Sequence, residues 1–304
     1  MGAAQAAGTV PIGRRRARPG ELAFPALLLL VLLLALAVLV TLVGTVLAEA
    51  VQVFRERGTD FLRVGLSSLP SRAGVAQGIA GSLGLMAIVV VVAFPLGIAA
   101  AVYLEEYASD TGFHRFVTAN IRNLAGVPSI VYGLLGLAIF VQALGELTGG
   151  RSLLAGGLTM SILVLPIVVI TASEAIRAVP SSIREAAFAV GATRWEVVRS
   201  HVLPSAAPGI LTGVILTFAR ALGEAAPLIL VGGAPGFFAA AGGGISAVLR
   251  GPYTALPAVI FNWSRRSLRE FGPLTSAAIV VLLGVLLLVN GIAVFLRHRY
   301  ERRW

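Results

Sequence analysis

Six long apolar runs separate the charged residues of this chain and limit the folds that are open to it. About 20 consecutive apolar residues cross a bilayer as a helix, and only helices or closed barrels satisfy every backbone polar group in lipid. The pattern therefore predicts an all-α integral membrane protein with six transmembrane helices. The predicted spans are approximately residues 22–48, 79–104, 124–144, 152–172, 208–231 and 275–296.

The composition fits a membrane protein and excludes several kinds of chemistry. Hydrophobic residues make up 57% of the chain and charged residues 12%, well below the roughly 25% charged residues of soluble domains. All 24 strongly basic residues are arginines, so the chain lacks the lysine that completes a P-loop. It also contains no cysteine, which excludes disulfides and thiolate metal sites. We expect no catalytic residue, no metal site and no cofactor in this chain.

The arginines mostly flank the apolar runs, where they act as orientation signals rather than as a nucleic-acid surface. The densest groups lie in two basic tails, residues 1–21 and 298–304, around a transmembrane domain of residues 22–297. The positive-inside tendency therefore predicts that both termini are cytosolic, together with the loop 174–205. On the outer side, residues 232–273 are rich in glycine and proline, and we expect a short amphipathic surface helix there that a soluble partner could contact.

The predicted cytosolic loop contains a polar, helix-prone segment, EAAFAVGATRWEVVRSHVLP, at residues 185–204. Its spacing resembles the EAA signature of bacterial ABC importer permeases, with His201 in an aliphatic position as the one departure. Gly191 lowers helix propensity and predicts a bend between two short helices. The resemblance implies the ABC importer type I permease fold, with a cytosolic helix pair that couples to an ATPase. The residues implied in coupling are Glu185, Ala186, Ala187, Gly191, Arg194, Leu203 and Pro204.

Four further segments resemble the A-type permease subunit of the phosphate-specific Pst transporter. They are FPLGIAAAVYLEEYA (94–108), NLAGVPSIVYGLLGL (123–137), FARALGEAAPLIL (218–230) and ALPAVIFNW (255–263). The resemblance implies a subunit of an ATP-driven importer of inorganic phosphate in the bacterial plasma (inner) membrane. It also implies three kinds of partner: a paralogous C-type permease subunit that completes a heterodimer, two copies of an ABC ATPase subunit that bind ATP and Mg, and an extracytoplasmic phosphate-binding protein.

Arg220 and Glu224 are two charged residues inside the predicted fifth span. An arginine near the middle of a membrane costs at least about 2.5–3.5 kcal/mol on insertion scales, and residues four apart share one face of a helix. One hypothesis is a buried ion pair with a purely structural role. The hypothesis that we favour places Arg220 on the translocation path, where its guanidinium binds a phosphate oxyanion and Glu224 holds it when the path is empty.

Polar residues at the start of the predicted third span form a second group of path candidates. Proline and glycine at residues 126–128 free backbone groups that could face a water-filled path. The candidates are Arg122, Asn123, Ser129 and Tyr132.

The remaining charged residues near the cytosolic side have simpler interpretations. Glu105 and Glu106 end the second span, and we expect them to pair with an arginine of a partner subunit. His114 and His201 are isolated from other metal-binding residue types in the sequence, so we interpret both as surface or interface residues.

Two alternatives to phosphate import remain open from the sequence. The first is an ABC importer permease for another tetrahedral oxyanion, such as sulfate, molybdate or phosphonate. The second is a proton-coupled secondary transporter with Glu224 as the proton carrier, although that class has an inverted repeat that is not visible here.

Overall fold

The computed structural model describes residues 19–233 and 244–300, and their secondary structure is helical throughout. Three of the helices continue as π-helical turns, over Tyr103–Tyr107, Leu137–Ala143 and Val198–Val202, and a 3-10 turn covers Pro70–Arg72. The α-helices are α1 (Pro19–Arg57), α2 (Asp60–Arg63), α3 (Ala76–Val102), α4 (Gly112–Ala125), α5 (Ser129–Gly136), α6 (Gly145–Thr148), α7 (Leu153–Arg177), α8 (Ser181–Ala189), α9 (Arg194–Val197), α10 (Leu203–Gly223), α11 (Ala226–Leu230), α12 (Ile245–Arg250), α13 (Leu256–Ser264) and α14 (Phe271–Tyr300).

Five of the described helices are long and apolar enough to cross a membrane, and a bent pair of helices forms a sixth candidate span. The bent pair is α4 followed by Ser129–Ala143, with an angle of 100° between its two parts. The five straight candidates are Ala23–Arg57, Ala76–Tyr107, Leu153–Arg177, Arg194–Gly223 and Phe271–Phe295.

The chain divides into two compact units, residues 1–45 and residues 46–304. In the first unit, the described residues are the apolar part of α1, whose large side chains are exposed from Phe24 to Leu42. Such a surface is stable only in an apolar solvent such as lipid. The second unit contains the remaining helices and the buried core. Residues 1–18 of the predicted basic N-terminal tail, residues 301–304 of the C-terminal tail and residues 234–243 of the outer segment lie outside the described part.

The centre of the second unit is formed by α3 and α7, which pack along most of their length. Small residues allow this close approach, as is usual where lipid supplies no hydrophobic force between helices. A Cβ atom built on Gly97 would lie 2.6 Å from Cγ1 of Val168, so any larger residue there would push the two helices apart. Buried Met160 and Val164 fill the core between these helices.

The segment predicted as an outer amphipathic surface helix is instead largely buried, and that prediction is wrong for the described residues. In α13, Leu256, Val259 and Trp263 are at most 1% exposed. Trp263 packs against Phe271 with ring centroids 5.7 Å apart, and against Phe61 at 6.5 Å. The physical reason is that the apolar residues of ALPAVIFNW surround the helix on most sides, so burial stabilises it more than a membrane surface would.

The third and fifth predicted spans are not continuous helices. Pro128 has no N–H for the carbonyl of Leu124, and Pro227 has none for the carbonyl of Gly223, so each proline disrupts the helix that precedes it. The chain bends at residues 126–128 and breaks again at residues 224–225. The predicted spans 124–144 and 208–231 therefore each contain a break that hydropathy alone does not reveal.

Candidate functional site

The loop around Gly191 forms two short helices separated by a turn, as the sequence predicted. Helix α8 ends at Ala189 and α9 begins at Arg194, and Gly191 between them has a φ of +85°. That left-handed conformation is costly for residues with a Cβ atom. A Cβ atom on Gly191 would meet no atom within 4 Å, so the backbone conformation rather than lack of space requires glycine here.

A capping box fixes the second of these helices, a feature that our sequence interpretation missed. The hydroxyl of Thr193 accepts from the backbone N–H of Glu196, and the Glu196 carboxylate accepts from the backbone N–H of Thr193 at 2.7 Å. Two backbone donors that a helix start leaves free are thus satisfied by side chains. The Thr-x-x-Glu spacing in the sequence is the signal that could have revealed it.

The predicted coupling residues differ in their exposure. Ala187 is buried and Leu203 is half-buried, so these two hold the loop on the bundle, whereas the others are exposed: Glu185, Ala186, Gly191, Arg194 and Pro204. The tip of the loop also exposes large apolar side chains, namely Val190 at 84%, Trp195 at 55% and Phe188 at 47%. The sequence interpretation did not single out these three. Together the exposed residues form a projecting surface, here called the coupling knob, that is both apolar and charged.

Two ion pairs lie at the base of the coupling knob: one joins α8 to the turn Tyr103–Tyr107 after α3, and the other joins that turn to the end of α7. Arg184 of α8 donates to Oε1 of Glu106 at 2.7 and 3.0 Å, and its guanidinium also donates to the carbonyls of Ile176 and Val179. Glu106 is 8% exposed. The planar guanidinium thus satisfies several acceptors at once, which a lysine could not do with the same geometry.

The second pair lies beside the first and is more exposed. Arg177, in the last turn of α7, donates to both carboxylate oxygens of Glu105 at 2.7 and 3.2 Å. The prediction that Glu105 and Glu106 pair with an arginine of a partner subunit is therefore wrong, since both partners belong to this chain. The pairing joins residues 72 and 78 positions apart, which spacing along the sequence cannot reveal.

At the other end of α10, Arg220 and Glu224 form a loose ion pair. Arg220 lies in the last turn of the helix, and Glu224 follows its end with an extended backbone, φ −83° and ψ 113°. Nε of Arg220 is 3.7 Å from Oε1 of Glu224, and the side chains are 49% and 21% exposed. This distance is longer than a hydrogen bond, so the guanidinium is neutralised but not held in a fixed geometry.

The two helix breaks lie side by side in the bundle. Helices α5 and α11, which follow the breaks, pack against each other, and a Cβ atom on Gly133 would lie 2.7 Å from Cα of Pro227. Tyr132 belongs to the same buried cluster as Ala221 and Leu222, the neighbours of Arg220. The structure therefore places α5, in the third predicted span, beside α11, which directly follows the charged residues of the fifth.

The other predicted path residues have varied surroundings. Tyr132 is buried, and its hydroxyl donates to the carbonyl of Leu124 at 2.9 Å, one of the acceptors that Pro128 leaves without its usual helical partner. Arg122 and Asn123 are exposed in the last turn of α4, and Ser129 is half-buried at the start of α5. The side chains of these last three make no hydrogen bond or ion pair within the described residues.

Neither histidine belongs to a cluster of metal-binding side chains. Among the side chains that the structure describes, residues 23–233 and 244–295, no group of three His, Cys, Asp or Glu residues has an arrangement suited to a metal ion. His201 is exposed on the π-helical turn that precedes α10. The backbone N–H of His114 donates to the hydroxyl of Thr111, which caps the start of α4.

Comparison with known proteins supports the family resemblance. The model of the family "Binding-protein-dependent transport system inner membrane component" matches residues 93–302. The phosphate transport system permease protein PstA of Mycobacterium leprae (strain TN) is 40% identical over 66% of this chain and 65% of its own length. PstA of Yersinia pestis is 34% identical over 72% and 71%, and the probable ABC transporter permease YqgI of Bacillus subtilis (strain 168) is 34% identical over 57% and 58%.

The chain thus spans between 58% and 71% of the length of these curated relatives. A solved bacterial alginate ABC transporter, in complex with its periplasmic protein, contains a chain of similar fold, with a TM-score of 0.65 at 14% identity over 93% of this chain and 98% of that one. The predicted all-α fold of a type I ABC importer permease and the resemblance to A-type Pst permeases are confirmed. The chain belongs to the family of binding-protein-dependent transport system inner membrane components, and it is a multi-pass integral membrane protein.

Proposed function

We propose that this chain is the A-type membrane subunit of an ATP-driven importer of inorganic phosphate. The observation that carries the proposal is the loose Arg220–Glu224 pair, which lies where one broken helix ends and beside a second break. Discontinuous helices form the substrate sites of many transporters, because their free backbone groups and charged ends contact polar substrates. The names of the relatives from Mycobacterium leprae and Yersinia pestis supply the substrate class.

The geometry of the pair suits reversible binding of an oxyanion. A guanidinium presents planar N–H donors that match the oxygens of a phosphate. Because Glu224 approaches Arg220 only to 3.7 Å, an arriving phosphate can replace the carboxylate without breaking a hydrogen bond between them. When phosphate leaves, Glu224 again neutralises the guanidinium and lowers the cost of a charge at membrane depth. The pair therefore favours release as well as binding.

A single continuous helix connects the coupling knob to this pair. Residues Arg194–Gly223 form one helix of 30 residues through α9, the π-helical turn and α10. At about 1.5 Å per residue its length is about 45 Å. Buried Val197, Val202 and Ala206 hold its first half against α7. A displacement of the knob would thus move the end of α10, where Arg220 and Glu224 lie.

The coupling residues are proposed to contact an ATPase subunit. The exposed surface of the knob, with Glu185, Ala186, Gly191, Arg194 and Pro204, combines charges with apolar side chains, which is typical of a protein interface. In the proposed assembly, two copies of the ATPase bind ATP and Mg and perform all hydrolysis. A paralogous C-type permease forms the other half of the path, and an extracytoplasmic binding protein delivers phosphate. The knob and both termini then face the cytosol.

Transport by charge-neutral variants tests the proposal. We expect Arg220→Gln to reduce phosphate uptake by the assembled transporter at least tenfold, and Glu224→Gln to slow uptake while strengthening retention of phosphate. Arg115→Gln is the matched control, since Arg115 and its partner Asp110 are 74% and 82% exposed, and we expect normal uptake. Near-normal uptake in both test variants would show that the Arg220–Glu224 pair does not bind phosphate during transport. Uptake that survives loss of the ATPase and stops with the proton gradient would contradict the importer itself.

A further inference from the structure

A polar cavity that contains neither Arg220 nor Glu224 lies at the start of α14. Its volume is about 390 Å³, many times the roughly 10–15 Å³ that one water requires. Glu49 of α1, the segment after α13 and the first turns of α14 line it. Glu49 directly follows the first apolar run, and α14 begins the last one. The cavity therefore lies at the boundary between apolar and polar parts of the protein, where lipid headgroups are found.

Two arginines line this cavity without an acidic partner. Arg115, Arg177, Arg184 and Arg220 each lie within 4.0 Å of a carboxylate. By contrast, the side chain of Arg269 makes no hydrogen bond or ion pair with the described side chains, those of residues 23–233 and 244–295. The guanidinium of Arg266 lies 4.4 Å from the centroid of the Phe271 ring; this is a cation–π contact, and because the side chain makes no hydrogen bond or ion pair to a described residue, its N–H donors remain available.

Unpaired arginines that share a cavity are suited to a phosphate group. The guanidinium fork matches two oxygens of a phosphate, and contact with an aromatic ring restrains its position in advance. The ring of Phe271 is itself fully buried against Trp263, so Arg266 is held by a rigid part of the fold. Arg269 is exposed and adds a second positive charge.

The same cavity contains a carboxylate, and this distinguishes between possible ligands. Oε2 of Glu49 accepts a hydrogen bond from the hydroxyl of Ser276 at 2.7 Å, which leaves the other oxygen available. A negative charge there disfavours a free phosphate ion but favours an ammonium group. A ligand with a phosphodiester and a primary amine would match both the arginines and Glu49. The headgroup of a zwitterionic phospholipid of the phosphoethanolamine class has this composition.

We propose that this cavity binds a phosphoethanolamine lipid headgroup, with its phosphate on Arg266 and Arg269 and its amine on Glu49. A bound headgroup connects the polar end of α1 with the start of α14. In the orientation proposed above, the lipid belongs to the outer leaflet. The inference does not depend on phosphate import, because it concerns the membrane boundary and not the translocation path.

Lipid binding to the purified, delipidated protein in its assembled complex tests this proposal. Phosphatidylethanolamine, phosphatidylglycerol or inorganic phosphate is added, and the increase in melting temperature is measured. Native mass spectrometry counts the lipids that the complex retains. We expect phosphatidylethanolamine to bind at least tenfold more tightly than phosphatidylglycerol, and inorganic phosphate to have no effect at this cavity. Arg266→Gln combined with Arg269→Gln should reduce binding of both lipids at least tenfold.

Two single variants make the test specific. Glu49→Gln retains an acceptor for Ser276, and we expect it to abolish the preference for phosphatidylethanolamine while binding of phosphatidylglycerol persists. Arg265→Gln is the control, since that guanidinium lies over the ring of Phe261 at 5.3 Å and does not line the cavity; its lipid binding should equal that of the parent protein. Equal binding of the two lipids by the parent protein would overturn the proposal. So would displacement of lipid by inorganic phosphate, which would indicate a free-anion site.

Discussion

Two Arg–Glu pairs of opposite character lie near the two ends of the helix Arg194–Gly223. Near its coupling-knob end, Arg184 and Glu106 are 2.7 Å apart, and the guanidinium has further acceptors in the backbone. At its far end, Arg220 and Glu224 are 3.7 Å apart without a hydrogen bond. A pair whose guanidinium makes four hydrogen bonds, two of them to a buried carboxylate, is held in one geometry. A loose pair can exchange its partner. The same residue types thus serve attachment at one end and, in our proposal, substrate exchange at the other.

Removal of the tight pair should give the largest loss of stability. Arg184→Gln leaves the carboxylate of Glu106 buried without its cation, and removal of one partner of a buried pair typically costs about 3–5 kcal/mol. Because Arg184 is 22% exposed, we expect a loss at the lower end of this range, about 3 kcal/mol in the free energy of unfolding. Denaturant unfolding of the purified protein in detergent measures this loss.

The neighbouring pair supplies the control for that comparison. Arg177→Gln removes an arginine that is 56% exposed, and exposed pairs contribute about 0–1 kcal/mol. Equal losses for Arg184→Gln and Arg177→Gln would show that the burial of Glu106 adds nothing to the stability of its pair, and the role of Arg184–Glu106 as a buried anchor would then fail.

A smaller effect is expected at the helix break beside the loose pair. Tyr132→Phe removes the hydrogen bond to the carbonyl of Leu124 while keeping the ring, and one such bond contributes about 0.5–1.5 kcal/mol. We expect a loss of about 1 kcal/mol in the same unfolding measurement. Tyr103→Phe, at an exposed tyrosine whose hydroxyl makes no described hydrogen bond, should change nothing. A Tyr132→Phe protein as stable as its parent would mean that the hydroxyl does not support the bend.

Features that depend on neighbouring residues were predictable from the sequence, whereas contacts between distant parts of the chain were not. The bend at Gly191 depends on a local conformation, and the spacing from Glu185 to Pro204 is contained in one short segment, so both were predictable. The partners of Glu105 and Glu106 were not, because each pair joins distant parts of the chain. Spacing along the sequence contains no information about which helices become neighbours.

Hydropathy located the spans but not their interruptions. The mean hydropathy around Pro128 and Pro227 stays high despite a few polar residues before each proline, so an average over about 20 residues treats each run as one helix. The prolines were visible, yet α3, α7 and α10 also contain internal prolines and remain continuous. Whether a proline breaks a helix depends on the packing around it. Burial of α13 was missed for the same reason, since it depends on packing against Phe61, which is distant in the sequence.

The central claim is that movement of the coupling knob reaches Glu224 through one continuous helix. The chain has no native cysteine, so Gly223→Cys, at the exposed end of α10, provides the single labelling site of this subunit, whose modification is followed on its own band after separation of the subunits. The control is Leu69→Cys, at a residue that is 58% exposed in the segment between α2 and α3.

The most direct measurement is the rate at which a hydrophilic maleimide modifies Gly223→Cys in nucleotide-free and ATP-trapped transporter. We expect the rate to change at least threefold between the two states and the rate at Leu69→Cys to stay constant. Adding Gly191→Ala, which strains the bend by about 1–2 kcal/mol, should reduce the change at Gly223→Cys. Identical rates in the two nucleotide states would contradict the claim that the knob and the charged pair move together.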